Sequence, residues 1–91
     1  MSADEFRVLG HTLVDRLAEF LEELPQRRVT TSKSPAQLRA LLGDDALPER
    51  GGPPRALVDR ATELVIEHSL FNGHPRFWGY ITSSAAPIGA L

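Results

Sequence analysis

A stripe of apolar side chains sets the first constraint: Phe6, Leu9, Leu13, Leu17, Phe20, Leu21 and Leu24 recur at spacings of three and four, and Pro25 follows. That spacing marks one face of an α-helix with 3.6 residues per turn. Val14 widens the face, while Arg7, Asp15, Arg16, Glu19, Glu22 and Glu23 fall mostly off it. Ser2 followed by Glu5 predicts a capping box, and Asp4 and Glu5 suit the positive end of the helix dipole. Pro25 stops the helix, because the residue before a proline is pushed out of the α region. A helix of this length spans roughly 30 Å. In a chain of 91 residues it needs something large to lie along, and a helix from a second subunit would serve.

The next segments are short and punctuated. Gln26 to Lys33 is polar and reads as a loop. Ser34-Pro35-Ala36-Gln37 predicts a second helix start, with Ser34 as cap, Pro35 in the first position and Gln37 closing a capping box. Leu38, Leu41 and Leu42 give that helix an inner face, and Gly43 ends it. Gly51-Gly52-Pro53-Pro54 is a break, not a phosphate loop, since prolines lack amide donors and no Lys-Ser/Thr follows. A third helix is expected from Pro54 to about Leu70. Leu57, Ala61, Leu64, Val65 and His68 would line its inner side, and Arg60 would offset the like-charge pair Asp59 and Glu63.

Composition excludes several classes. A hydrophobic fraction of 42% is too high for a disordered chain. A net charge of −2 argues against a nucleic-acid module. With no cysteine there is neither a disulfide framework nor a thiolate metal site. No apolar run approaches the roughly 20 residues of a membrane span, and residues 1–9 do not have the basic-then-apolar order of a signal peptide. A soluble, cytoplasmic protein is the expectation.

The stretch from His74 to Ser84 stands apart. It holds the only Trp, Trp78, and the only Tyr, Tyr80. After Pro75 an extended segment is expected, but Phe77, Trp78, Tyr80 and Ile81 put apolar groups on both of its sides, so both sides need covering or one lines a pocket. Gly79 among these rings points to close approach by backbone or ligand. Thr82, Ser83 and Ser84 read either as an ordinary helix entry or as an anion site of hydroxyls and amides. Pro87 to Leu91 reads as the first turn of a further helix that is cut off, so the chain is expected to be an N-terminal fragment. His11 sits four residues before Asp15 and is expected to make a surface pair. His68 and His74 have no metal-ligand spacing, so no metal site is expected. Lys33 is the only lysine and lies in a polar loop. No catalytic residue is identified.

At Glu5-Phe6-Arg7, Val14-Asp15, Ser34-Pro35, Pro53-Pro54 and above all His74-Pro75-Arg76-Phe77-Trp78-Gly79-Tyr80, leading to Thr82-Ser83-Ser84 and Pro87, the chain resembles the pyridoxal-phosphate-dependent decarboxylases that act on aromatic amino acids, tyrosine, histidine and glutamate. The resemblance implies a mostly α segment: the extended N-terminal helical arm of a fold-type I enzyme whose large domain is α/β. Residues 1–73 would be the arm, wrapped over the other subunit of a homodimer. Residues 74–91 would be the active-site rim and the start of the next helix. By the same resemblance, Tyr80, Ile81 and His74 match positions at the substrate, and Thr82 and Ser83 match positions near the cofactor phosphate. Ile81 stands where animal aromatic decarboxylases often carry Phe, which leaves the substrate open. In the family, the lysine, carboxylate and stacked histidine that hold pyridoxal 5′-phosphate lie in the large domain, so this chain alone is expected to be inactive. Two other readings stand beside this one: a non-catalytic helical interaction module, and the arm of another lyase or aminotransferase using the same cofactor.

Overall fold

Local chemistry starts and stops the helices. In the computed structural model, which describes residues 1–80 and 86–89, α1 runs Ala3–Glu23, α2 Pro35–Leu42 and α3 Pro54–His68. Single 3-10 turns follow at Leu24–Gln26 and Pro87–Gly89, and no strand occurs among the described residues. Both expected capping boxes form. The Ser2 hydroxyl accepts from the Glu5 amide at 3.1 Å while Glu5 accepts from the Ser2 amide at 2.6 Å. Ser34 and Gln37 do the same at 3.3 and 2.8 Å. Each pairing satisfies two amides that a helix start would otherwise leave without partners. Gly43 closes α2 at φ +81°, a conformation that favours glycine, and its amide reaches the Arg39 carbonyl at 3.0 Å.

α1 packs against α3: Arg16 and Phe20 share a cleft with Thr62 and Ile66, and Leu9 and Leu13 of α1 and Val58 of α3 are half-buried. This corrects the expected face of α3 in part. Leu64 and His68 are half-buried as expected, but Leu57, Ala61 and Val65 are exposed, and the most covered row is the one containing Thr62, whose hydroxyl donates to the Val58 carbonyl at 2.7 Å. The physical reason is that α3 is apolar on two sides. Periodicity alone offered two stripes, and a single neighbouring helix covers only one. Arg60 also departs from expectation. It donates to the Leu41 carbonyl at 2.9 Å and ties α3 to the end of α2, while Asp59 is met by Arg16 at 3.3 Å and Arg55 at 3.8 Å.

No hydrophobic residue among those described is fully buried. Phe6, Val8, Val14, Leu17 and Leu21 leave a second apolar stripe of α1 in the open; Leu13 and Phe20 are only half-covered. The radius of gyration is 15.6 Å, against about 12 Å for a compact domain of this length. The accessible surface is 7838 Å², against about 5,200 Å² for a compact monomer of this mass. The excess, about 2,600 Å², exceeds the roughly 800 Å² that one partner contributes to a standard interface.

Candidate functional site

Polar groups, not apolar ones, hold the segment that carries the aromatic motif. Arg27 follows the 3-10 turn after α1. Its guanidinium donates to Glu67 of α3 at 3.0 Å and to Glu23 of α1 at 3.0 Å, so it bridges the two helices. The hydrogen bond to Glu67 holds the Arg27 pKa above the ordinary arginine range; burial opposes this and Glu23 adds to it. The same guanidinium lies 5.6 Å from the centre of the Phe20 ring, and Phe20 meets Phe71 at 5.0 Å with the rings tilted by 55°. These separations suit cation–π and tilted aromatic contacts.

The chain beyond α3 is tied to this node. The Phe71 amide donates to the Val29 carbonyl at 3.0 Å. His74 is 3% exposed, the most covered residue of those described. Its Nε2 lies 2.9 Å from the Arg27 carbonyl oxygen, and its Nδ1 accepts from the Arg76 amide at 2.9 Å. The Arg76 guanidinium reaches the same Arg27 carbonyl at 3.4 Å. His74 also donates its own amide to the Phe71 carbonyl and accepts from the Phe77 amide, at 3.0 and 2.9 Å. The segment from Asn72 to Arg76 is therefore a pair of turns; of the extended run expected after Pro75, Phe77 and Trp78 have no regular structure, Gly79 and Tyr80 bend, and Ile81 lies outside the described residues. The asparagine and glycine after Phe71, and the proline after His74, favour turning over pairing in a strand.

Beyond this anchor the chain points outward. Phe77 folds back over Gly79, where a Cβ would sit 3.2 Å from the ring, so the close approach at Gly79 is made by Phe77. Trp78 is 90% exposed and Tyr80 97% exposed. Tyr80 has φ +57°, a left-handed conformation that costs a non-glycine residue on the order of 1–3 kcal/mol. Of the residues expected at the site, His74 is sequestered with both ring nitrogens engaged inside the chain, and Tyr80 is presented to the outside. Ile81, Thr82 and Ser83 lie outside the described residues. The clamp of Arg27, Glu67 and His74 was not read from the sequence, and no local signal marks it, because the partners lie 40 and 47 residues apart.

Among the described residues, no group of three or more His, Cys, Asp or Glu side chains is arranged to hold a metal, and no helix is long and apolar enough to cross a membrane. Lys33 is exposed. What the arrangement offers chemically is a rigidly anchored turn that presents two aromatic rings, with Tyr80 carrying a hydroxyl.

No family model matches the chain, and no solved structure does. Curated proteins do. The chain is 33% identical to a tyrosine decarboxylase of Oryza sativa subsp. japonica, over all of this chain and 17% of that protein. It is 34% identical to an aromatic-L-amino-acid decarboxylase of Drosophila melanogaster, over 92% of this chain and 16% of that one. To an aromatic-L-amino-acid decarboxylase of Bacillus atrophaeus it is 25% identical, over all of this chain and 19% of that one. The chain thus spans about a sixth of the length of the curated relatives it matches. The similarity is to the aromatic-amino-acid and tyrosine decarboxylases as a group and singles out no subtype.

Proposed function

We propose that this chain is the N-terminal helical arm of a pyridoxal-phosphate-dependent amino-acid carboxy-lyase. The observation that carries the proposal is the pairing of end-to-end similarity to such decarboxylases with two open apolar stripes, one on α1 and one on α3. Residues 1–73 form the arm, and its open stripes lie against the body of the enzyme and a second subunit. Residues 74–91 form the rim of the substrate pocket. Tyr80 and Ile81 border the substrate side chain, and Thr82 and Ser83 approach the cofactor phosphate. His74 stands behind the rim and holds it.

The described residues do not fit the cofactor by themselves. The one lysine, Lys33, is exposed in the polar segment before α2 and lacks the apolar setting that activates an amine. In this reading the chain carries no chemical step. It shapes the pocket edge, excludes water there and contributes dimer contacts. The cofactor, an electron sink for loss of the substrate carboxylate, is seated by residues elsewhere in the enzyme.

Two experiments test the reading. Incubating the full-length protein with pyridoxal phosphate and a panel of amino acids should release carbon dioxide and an amine from at least one of them; transamination or no turnover would contradict it. Titrating the 91-residue chain with pyridoxal phosphate should give no saturable Schiff-base band. The exposed stripes also serve a second reading, a non-catalytic helical interaction module. That reading predicts no turnover by any form of the protein.

A further inference from the structure

His74 is the best-covered residue of those described, in a chain where no described hydrophobic side chain is buried, and it is hydrogen-bonded to four residues, Arg27, Arg76, Phe71 and Phe77. Its ring hydrogen bonds define its chemical form. A main-chain amide can only donate, and a main-chain carbonyl can only accept. Nδ1, which takes the Arg76 amide at 2.9 Å, therefore carries no proton. Nε2, which faces the Arg27 carbonyl at 2.9 Å, therefore carries one. With both ring nitrogens and both backbone groups engaged, each polar group of His74 has a partner inside the chain.

We propose that His74 is the positioning residue of the aromatic edge: a neutral imidazole in the Nε2–H form, whose bonds to Arg27 and Arg76 set the direction in which Trp78 and Tyr80 leave the fold. The first bond crosses 47 residues and fixes the turn to the end of α1. The second spans two residues and fixes the start of the edge itself. The Arg76 guanidinium, on the same carbonyl at 3.4 Å, is a weaker second tie. That this edge borders a substrate pocket rests on the function proposed above; the latch does not, so each can fail without the other.

The test uses the full-length protein with neither substrate nor cofactor. Nitrogen-15 spectra of the imidazole at neutral pH should show His74 protonated on Nε2 and bare on Nδ1. Two variants then separate the two bonds. His74→Asn keeps an oxygen near the Nδ1 position, and His74→Gln keeps an amide near the Nε2 position. Exchange of the Arg76 amide should stay within about twofold of wild type in His74→Asn and speed up about tenfold in His74→Gln, the loss of one hydrogen bond. Fluorescence anisotropy assigned to Trp78, by difference from a Trp78→Phe counterpart, should fall in His74→Ala. An Nδ1–H ring, an even mixture of the two forms, or equal Arg76 exchange in both variants would overturn the proposal. The ring spectrum needs no variant, so an Nδ1–H ring or an even mixture overturns the proposal even if a substitution unfolds the chain.

Discussion

The turn around His74 and the outer stripe of α1 answer the same problem in opposite ways. Around His74 each polar group finds a partner inside the chain, and the ring is 3% exposed. Along α1, Phe6 is 67% exposed and Leu21 50%, and Leu57 and Val65 of α3 are left similarly open. Hydrogen bonds are short-range and directional, so three can pin a turn without a core. Apolar burial is proportional to area and needs a second surface. The difference teaches that the polar clamp holds this segment's shape with groups of the chain itself, whereas the outer apolar faces of α1 and α3 have no covering surface among the described residues.

Substitutions can break that comparison, and the clamp should be the more sensitive side. His74→Ala leaves the Arg76 amide without its acceptor and removes one of two donors to the Arg27 carbonyl; a loss of about 2 kcal/mol is expected, read by urea unfolding. Arg27→Ala removes the ion pairs to Glu67 and Glu23 and the contact over Phe20. These groups are partly exposed, so the expected loss is smaller, about 1 kcal/mol. Because the Arg27 pKa is raised in the folded state, its contribution is present below the ordinary arginine range and is lost only as pH rises through the raised value. A stability scan from about pH 7 to 10 should therefore show no loss traceable to the difference between wild type and Arg27→Ala. Val65→Gln, on the open stripe of α3, should change the isolated chain by less than about 0.5 kcal/mol. If the proposed arm lies against a second subunit, the same change should weaken assembly of the full-length protein, seen as a shift toward smaller species in sedimentation. A large effect of Val65→Gln on the isolated chain would show that this stripe is already packed.

Much of the fold was legible because it is written locally. Ser2 with Glu5, Ser34 with Gln37 and Gly43 each act within four residues and do what their chemistry predicts, whereas Pro25 does not push Leu24 out of the α region: Leu24 stays α-helical, Pro25 opens a 3-10 turn, and the chain leaves helical geometry only at Arg27. The packed face of α3 was not legible. Leu57, Ala61 and Val65 form as good a stripe as Val58, Thr62 and Ile66, and only the position of α1 chooses between them. The path after Pro75 differs from expectation for a related reason: four aromatic or apolar side chains in six residues suggest an extended run that is covered or lines a pocket, whereas the chain bends at Gly79 and Tyr80 and leaves Trp78 and Tyr80 exposed. The motif's Trp78 and Tyr80 are both exposed. Arg27 gave no sign, because a lone arginine in a polar loop does not reveal a partner 40 residues away.

Hydrogen exchange along α1 tests the central claim most directly, compared between the 91-residue chain alone and the full-length protein. If the open stripes are the inner faces of a larger assembly, amides of α1 exchange readily in the isolated chain and become strongly protected in the full-length protein. Equal, strong protection of α1 in both would mean that the chain closes its own core, and would contradict the account.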